Sequence, residues 1–463
     1  MPILFVIKRT GELWHIKGKE EAMKKFLWIP LAVILIAGLI FSGCAKPAEE
    51  VPSEIRIGIP MSITGMFGGF GEGAYGSQAA IDDINALGGV YIEEYGERIP
   101  MRGIVVDYES DPVKVGTLSE DLVLRDDVQF LVSHLGPPPV CSPIAMVSQR
   151  YKVPYLGGGG PMEPWLGLRD SADEPWEYAW TPGIAIGTPA APGSYWDKPG
   201  YTVNGAWFDF MDVYGPQTNM IAAMFATDEP DGRGWYEGMP PALEAAGYTV
   251  IGVEEELGMF PMGTTDFTSI IQEWINNDCE VLWGNVPAPD FGALWRQCWT
   301  QGFQPKIVMV GRAPLYYVDV VAWGGDLPQG IGVERWWDAN WQDSPGIGGT
   351  TPRSLVDRWV EDTGDPMNPM IGPCYAMVQI IYDALERADT LEIEAVNRAL
   401  GETNTQTILH HVEWDENHYC RIPLYVGQWQ KTDEPWVWEC PAIYSRHDFI
   451  PVTADPIFPM VYD

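Results

Sequence analysis

The chain has 463 residues, which is too long for one ordinary domain of roughly 100 to 200 residues, so we expect two lobes. Hydrophobic residues make up 46% and charged residues 20% of the sequence, a composition that excludes a disordered chain. The formal net charge of -36 repels polyanions and therefore argues against a nucleic-acid partner.

An export signal is predicted at the N-terminus. Lys24 and Lys25 precede an apolar run over residues 26–41, and Ser42-Gly43-Cys44 follows. This order of basic, apolar and small residues is typical of a signal peptide. The run is shorter than the roughly 20 residues that a membrane-spanning helix needs, although a permanent anchor helix is the alternative.

The residues around the cleavage site predict a lipid anchor. Ser42-Gly43-Cys44 resembles the bacterial lipobox, which implies that Cys44 is acylated and becomes the new N-terminus. A complete signal begins at Met23, so we assign residues 1–43 to a leader with an over-long start. Residues 44–53 mix proline and charge without apolar periodicity and are predicted to be a tether.

Strands and helices alternate in the first part of the mature chain. Strands are predicted at 55–60, 103–108, 130–133 and 153–156, with helices at 75–87, 113–124 and 143–151. Strands separated by helices of about 10 to 15 residues indicate βαβ units and a parallel sheet with helices on both faces. We therefore predict an α/β, doubly wound first lobe.

A second lobe is predicted after a Gly/Pro-rich stretch that ends near Gly200. Its predicted strands are 220–226, 249–253, 280–283 and 307–310, and its predicted helices are 205–213, 236–246, 267–277 and 292–301. Two helices at 352–363 and 375–388 and two strand-like segments at 410–414 and 424–429 follow.

Several short segments occur in the order of a known family. They are Ile55–Gly65, Ala79–Val90, Asp107–Pro112, His134–Gly136 and Thr265–Phe267. In this order and spacing the chain resembles the leucine/isoleucine/valine-binding family of ABC-transporter solute receptors, over roughly residues 54 to 445. The resemblance implies the type I periplasmic-binding architecture, which is two Rossmann-like lobes joined by a three-strand hinge.

The resemblance also implies lobe boundaries and a position for the ligand. We expect lobe 1 to contain residues 54–181 and 312–400, and lobe 2 to contain residues 182–311 and 401–463. A ligand would bind at the carboxyl ends of the strands, where an open α/β sheet leaves a crevice.

Glycine-rich turns are predicted to form the first wall of this crevice. Phe70, in the turn Gly68-Gly69-Phe70-Gly71, matches an aromatic residue that the family places over its solute; a simple flexible turn is the alternative. Backbone N–H groups of Gly136, Gly159 and Gly160 would take the place of the family's hydroxyl groups, since Pro137 and Pro138 have no N–H.

One acidic residue and several aromatic residues complete the predicted site. Asp290 aligns with the family's acid for a ligand ammonium, although an Asp before a helix is equally expected as an N-cap. Trp235 or Tyr236 is expected to close over the solute. Tyr375 is a weaker candidate, as are Trp336, Trp337 and Trp341.

No motif for a metal or cofactor is recognised, because the seven cysteines contain no CxxC pair and no Walker or GxGxxG pattern is present. Cys420 and Cys440 would suit a disulfide, with buried free thiols as the alternative. Catalytic motifs such as HExxH and GxSxG are also missing from the sequence, so we predict a non-enzyme.

The predicted function is that of a lipid-anchored receptor outside the cytoplasm that delivers a small polar or zwitterionic solute to an ABC permease. The solute would be an amino acid, an amide or a related compound. A sensory receptor with the same fold is the alternative, and a secreted hydrolase is a further one.

Overall fold

The computed structural model describes residues 51–433 and 436–462. The predicted signal peptide and Cys44 lie outside these residues. In the described part of the chain, none of the helices has both the length and the apolar character that a membrane span requires.

Twenty strands are described, numbered here in chain order: β1 (Ile55–Met61), β2 (Val90–Ile92), β3 (Glu97–Ile99), β4 (Met101–Asp107), β5 (Phe130–Val132), β6 (Tyr155–Leu156), β7 (Ala179–Gly183), β8 (Ile221–Thr227), β9 (Thr249–Ile251), β10 (Met259–Phe260), β11 (Val281–Val286), β12 (Ile307–Arg312), β13 (Gly332–Arg335), β14 (Asn404–Thr407), β15 (His410–Glu413), β16 (Tyr419–Arg421), β17 (Tyr425–Gln428), β18 (Gln430–Lys431), β19 (Trp438–Glu439) and β20 (Ala442–Tyr444).

Twelve α-helices are described, also in chain order: α1 (Gly73–Ala86), α2 (Pro112–Leu124), α3 (Pro138–Tyr151), α4 (Met162–Asp170), α5 (Val203–Tyr214), α6 (Pro230–Ala245), α7 (Thr268–Asn276), α8 (Ala288–Gln301), α9 (Tyr317–Trp323), α10 (Pro352–Thr363), α11 (Ile371–Ala388) and α12 (Ile393–Gly401).

The first lobe is built on a six-stranded sheet with the order β16-β7-β6-β5-β1-β4. Every strand pair in it is parallel. Its strands are largely buried on both sides, which explains their near-continuous apolar sequences. Helices α1 and α11 pack against each other on this lobe.

The second lobe is built on an eight-stranded sheet with the order β10-β8-β11-β12-β13-β17-β20, in which β9 also pairs with β8. The pairs from β8 to β13 are parallel, whereas β13-β17 and β17-β20 are antiparallel. Both sheets belong to one compact unit that begins at Pro52.

The chain passes between the two sheets three times, after β7, after β13 and after β16. The predicted fold class, two α/β lobes joined by three crossings, is therefore confirmed. Two segments join a sheet other than the one that the predicted lobe boundaries imply. Strand β13 lies in the second sheet although residues 312–400 were assigned to lobe 1, and β16 lies in the first sheet although residues 401–463 were assigned to lobe 2.

These two strands could not be recognised from apolar periodicity because charged residues belong to them. Strand β13 contains Glu334 and Arg335, and β16 ends with Arg421, yet all three residues are buried. Burial of charged side chains requires partners that only the folded chain brings close.

The cysteines of the described residues are free thiols, and all six are buried. This includes Cys420 and Cys440, so the predicted alternative of buried thiols is the one observed. Burial raises the pKa of Cys440 to about 11, which keeps this thiol protonated at neutral pH.

Candidate functional site

A cavity lies between the lobes at the carboxyl ends of the parallel strands. It encloses about 440 Å³ of atom-free space, counted with its opening to solvent. Fifteen residues line it: Phe70, Leu135, Pro137, Gly160, Pro161, Ile184, Ile186, Val203, Asp231, Trp235, Asn285, Arg312, Leu315, Glu334 and Trp336. Most of them lie at the carboxyl end of a strand or in the segment that follows it. Open α/β sheets bind ligands at this position.

The wall from the first sheet is apolar. It consists of Phe70 after β1, Leu135 and Pro137 after β5, Gly160 and Pro161 after β6, and Ile184 and Ile186 after β7. None of these lining side chains carries a hydroxyl group or a charge. Their polar groups are the backbone amides, such as the Gly160 N–H, which has no hydrogen-bond partner within the described chain.

Phe70 is held in place by contacts from both lobes. Its ring centroid lies 5.1 Å from that of His134 in the first lobe and 4.8 Å from that of Tyr316, which follows β12 in the second lobe. Burial lowers the pKa of His134 to about 3, so its imidazole is neutral and packs as an uncharged ring. Phe70 is therefore fixed at the boundary between the lobes.

Gly159 is required by the turn after β6. Its φ of +67° lies in the left-handed region, and an added Cβ would come within 2.0 Å of the Thr181 side chain. Its carbonyl accepts a hydrogen bond from the N–H of Ile184 at 2.8 Å, which joins the loops after β6 and β7. Gly159 thus shapes the first wall from behind the lining residue Gly160.

The wall from the second sheet is polar and is organised around Arg312. This residue ends β12, is 8% exposed and has a left-handed φ of +65°. Its Nη1 donates to Asp231 Oδ2 and to Glu229 Oε1, both at 3.0 Å, and its Nη2 donates to Thr227 Oγ1 at 2.9 Å. Strained backbone conformations of this kind concentrate at functional sites.

Glu334 adds a further buried carboxyl group to this wall. Its Oε1 accepts a 3.4 Å hydrogen bond from the Arg312 backbone N–H, while Oε2 has no partner among the described residues. Burial raises the pKa of Glu334 to about 8, and the neighbouring Asp231 acts in the same direction. Asp231 itself has a raised pKa because it is buried, against the opposing effect of Arg312.

Strand alternation explains why Glu334 faces the cavity and Arg335 does not. Successive side chains of a strand point to opposite faces of the sheet. Arg335 donates to the carbonyl of Leu315 at 2.7 Å and lies over the Trp429 ring, 6.0 Å from its centroid. It does not line the cavity, so Arg312 is the charged partner of the cavity's carboxylates.

Asn285 and two tryptophans complete this wall. Neither the oxygen nor the nitrogen of the buried Asn285 amide has a hydrogen-bond partner in the part of the chain that the structure describes. Trp235 lies over Gly311, where an added Cβ would approach its ring to 3.2 Å. Trp336 is 1% exposed and its indole N–H is likewise without a described partner.

The lobes also contact each other beside the cavity. Phe70 and Tyr316 form one contact, and helix α4 of the first lobe packs against helix α6 of the second. The walls are therefore brought together, as in a cleft that has closed.

Three of the predicted ligand-binding residues, Phe70, Gly160 and Trp235, line this cavity, and their contact with a ligand stays a prediction. Gly136 stands between two lining residues, and its N–H is directed at the Cys141 thiol. Tyr236 is turned away, because its hydroxyl donates to the carbonyl of Gly252.

Asp290 and Tyr375 are not among the residues that line the cavity. Both carboxylate oxygens of Asp290 accept the N–H of Gly263 at 3.1 Å, so Asp290 holds a neighbouring loop. It is not the N-cap of α8 either, because Pro287 occupies that position. The Tyr375 hydroxyl donates to Asp83 at 2.6 Å inside the first lobe.

Of the three weaker tryptophan candidates, one lines the cavity and two do not. Trp336 lines the cavity, whereas the Trp337 indole donates to the carbonyl of Ile408 at 3.1 Å and Trp341 packs on Phe449.

Sequence reasoning missed the polar cluster of Asp231, Asn285, Arg312 and Glu334. The available signal was a polar or charged residue at the end of an otherwise apolar strand: Asn285 near the end of β11, Arg312 at the end of β12 and Glu334 in β13. Such residues are rarely buried unless they are paired or functional.

Known proteins share this architecture. A periplasmic binding protein family model matches residues 54–434. A leucine-, isoleucine-, valine-, threonine- and alanine-binding protein of Pseudomonas aeruginosa is 23% identical over 426 residues, which cover 90% of this chain and 97% of that protein.

Solved structures agree with this match. A leucine binding protein from Thermotoga maritima superposes with a TM-score of 0.65 at 15% identity, covering 85% of this chain and 99% of that one. A solute binding protein of an ABC transporter from Rhodopseudomonas palustris, in complex with 3,4-dihydroxybenzoic acid, gives a TM-score of 0.61 at 14% identity, covering 87% and 99%. The family match extends over most of the chain, and the chain therefore belongs to the extracytoplasmic periplasmic binding proteins, as its sequence motifs predicted.

Proposed function

We propose that this protein is a lipid-anchored solute receptor of an ABC importer, which captures a small polar molecule between its lobes and delivers it to a membrane permease. Cys44 would carry the lipid, and residues 44–53 would tether the two lobes to the membrane. The protein's own residues bind the cargo and perform no chemistry on it.

The observation that supports this proposal is the cavity whose walls come from both sheets. Its first wall is apolar, and its second wall holds buried polar atoms without a hydrogen-bond partner in the described chain, on Asp231, Asn285 and Glu334. Leaving buried polar groups unpaired costs about 1 to 3 kcal/mol each. A cargo that pairs with them restores those interactions.

Such a cavity couples binding to closure of the lobes. A solute that contacts both walls binds the closed arrangement better than the open one, and it shifts the population toward the closed arrangement. The permease can then distinguish a loaded receptor from an empty one by the relative position of the lobes.

A thermal-shift screen of the purified protein tests the proposal. The compounds are amino acids, alkyl amines, short amides, urea and small aromatic acids. We expect at least one of them to raise the unfolding temperature, since a ligand at about 100 times its Kd adds about 2.7 kcal/mol of stability. Stabilisation by none of these classes would contradict the proposal, as would hydrolytic turnover of a test ester or peptide.

A further inference from the structure

The charges around the cavity are unbalanced. The guanidinium group of Arg312 pairs with the carboxyl groups of Glu229 and Asp231, and a third carboxyl group, that of Glu334, accepts the Arg312 backbone N–H. The side chains of Asp231, Arg312 and Glu334 are all at least nine-tenths buried, so water screens their charges poorly. The carboxyl groups of the second wall therefore outnumber the one guanidinium group that lines it, since Arg335, which also lowers the pKa of Glu334, lies outside the cavity.

Unpartnered atoms mark the place where that charge would bind. Asp231 Oδ1, Glu334 Oε2 and the Asn285 amide oxygen all belong to lining residues, and none has a hydrogen-bond partner within the described chain. All three atoms accept hydrogen bonds when Glu334 is ionised, and the Asn285 amide nitrogen beside them is an unpartnered donor. A group that presents several N–H donors, such as an ammonium, amidinium or guanidinium, matches them.

The first wall offers a carboxylate no charged or hydroxyl partner, only backbone N–H groups such as that of Gly160. Its lining side chains are hydrocarbon, and Arg312 offers only its Nε because its other nitrogens are bound by Glu229, Asp231 and Thr227. A carboxylate in the cavity would lie close to the lining carboxyl groups of Asp231 and Glu334, which disfavour a further negative charge. Phe70, Trp235 and Trp336 suit an apolar group and attract a cation through their ring faces.

We propose that the cargo is a small organic cation, with N–H donors at one end, an apolar group at the other and no carboxylate. Asp231, Asn285 and Glu334 bind the cationic end, and Phe70, Trp235 and Trp336 enclose the apolar end. This inference rests on the proposed function as a solute receptor and specifies the class of solute.

Three compounds of matched shape test the inference by titration calorimetry with the purified protein. Leucine carries both charged groups, 3-methylbutylamine lacks the carboxylate, and 4-methylpentanoic acid lacks the amine. We expect the amine to bind at least about tenfold more tightly than leucine, and the acid to bind more weakly than both, because a buried charge without a partner is strongly disfavoured.

A pair of Glu-to-Gln variants locates the effect. Glu334→Gln keeps the shape of the side chain, and we expect it to weaken binding of 3-methylbutylamine at least about tenfold. Glu97→Gln is the matched control on the exposed strand β3, and it should leave the affinity unchanged. Unchanged thermal unfolding of Glu334→Gln without ligand would show that the variant is folded.

The outcomes separate the inference from the function on which it rests. The cationic cargo is overturned if leucine or the acid binds more tightly than the amine. It is also overturned if Asp290→Asn loses amine binding and Glu334→Gln does not. Both results leave the proposed solute capture intact. If none of the three compounds binds, the thermal-shift screen tests the inference instead. The inference is supported if the compound that stabilises the protein most is another cation without a carboxylate. It is overturned if that compound belongs to any other class. A screen without any stabilising compound contradicts the proposed function itself.

Discussion

Single residues decide what this cleft can hold, and Glu334 is the most informative of them. Its carboxyl group is buried, has one oxygen without a described partner and has a pKa raised to about 8. The charged groups that face it are Arg312 and Asp231, with Arg335 next to it in the strand. At neutral pH most of the empty protein therefore carries Glu334 in its protonated form.

Binding of a cation should consequently depend on pH. An alkyl amine stays protonated to about pH 10, so Glu334 is the group that titrates between pH 7 and 9. Below its pKa of about 8, Glu334 must lose a proton before it can pair with the cation. We expect the affinity for 3-methylbutylamine to rise with pH up to about 8, by at most about tenfold per pH unit, and to stay level above it.

Calorimetry at several pH values measures this dependence. Glu334→Gln should remove it between pH 7 and 9, because the amide does not titrate. The same slope in the variant as in the natural protein would mean that another group governs binding.

The sequence placed some of the residues that line the cavity but not its charged side chains. Phe70, Gly160 and Trp235 were predictable because aromatic and glycine residues after a strand suit a ligand wall. Asp231 and Asp290 each lie in the first turn of a helix. The sequence alone gives no reason to expect one of them, rather than the other, to face the cavity. Packing decides between them: Asp290 binds the Gly263 N–H, whereas Asp231 binds Arg312.

At the level of elements, the first turns of two helices explain boundaries that the sequence misplaced. The predicted helix 236–246 begins at Pro230, because Glu229 accepts the N–H groups of Asp231 and Gly232. Its glycines and prolines hide the helical pattern in the sequence. The predicted helix 143–151 begins at Pro138 without a side-chain cap, because proline suits the first turn of a helix.

The cap of α2 offers a test of stability that is separate from binding. Asp111 Oδ1 accepts the N–H groups of Val113 at 2.8 Å and of Lys114 at 3.1 Å. Asp111→Ala should lower the free energy of unfolding by about 1 kcal/mol, measured by urea denaturation. Asp111→Asn should keep the cap and lower the free energy of unfolding by less than Asp111→Ala does. The affinity for the amine should be unchanged in both variants. Equal stability of the alanine variant and the natural protein would contradict the role of this cap.

At the scale of the whole molecule, two sheets present their carboxyl edges to one cavity because the chain passes between them three times. The two-lobed class was predictable from the alternation of strands and helices. The assignment of β13 and β16 was not, because their buried charges find partners only across the sheet and between loops. Glu334 in β13 accepts a hydrogen bond from the backbone N–H of Arg312 in β12. Arg421 in β16 donates to the carbonyl of Thr188.

Closure is the step that would link this architecture to the proposed role in transport. Contacts such as Phe70 with Tyr316 join the lobes directly beside the cavity, so opening must separate them. A bound cation adds contacts to both walls and favours the closed arrangement, whereas an empty cleft leaves unpaired carboxyl groups that favour entry of water.

Small-angle X-ray scattering with and without saturating 3-methylbutylamine, or the best compound of the screen, tests capture by closure most directly. We predict a smaller radius of gyration in the presence of the compound, approaching that calculated for the closed lobes described here. Superimposable scattering curves, at a ligand concentration where calorimetry shows full occupancy, would contradict closure around the cargo.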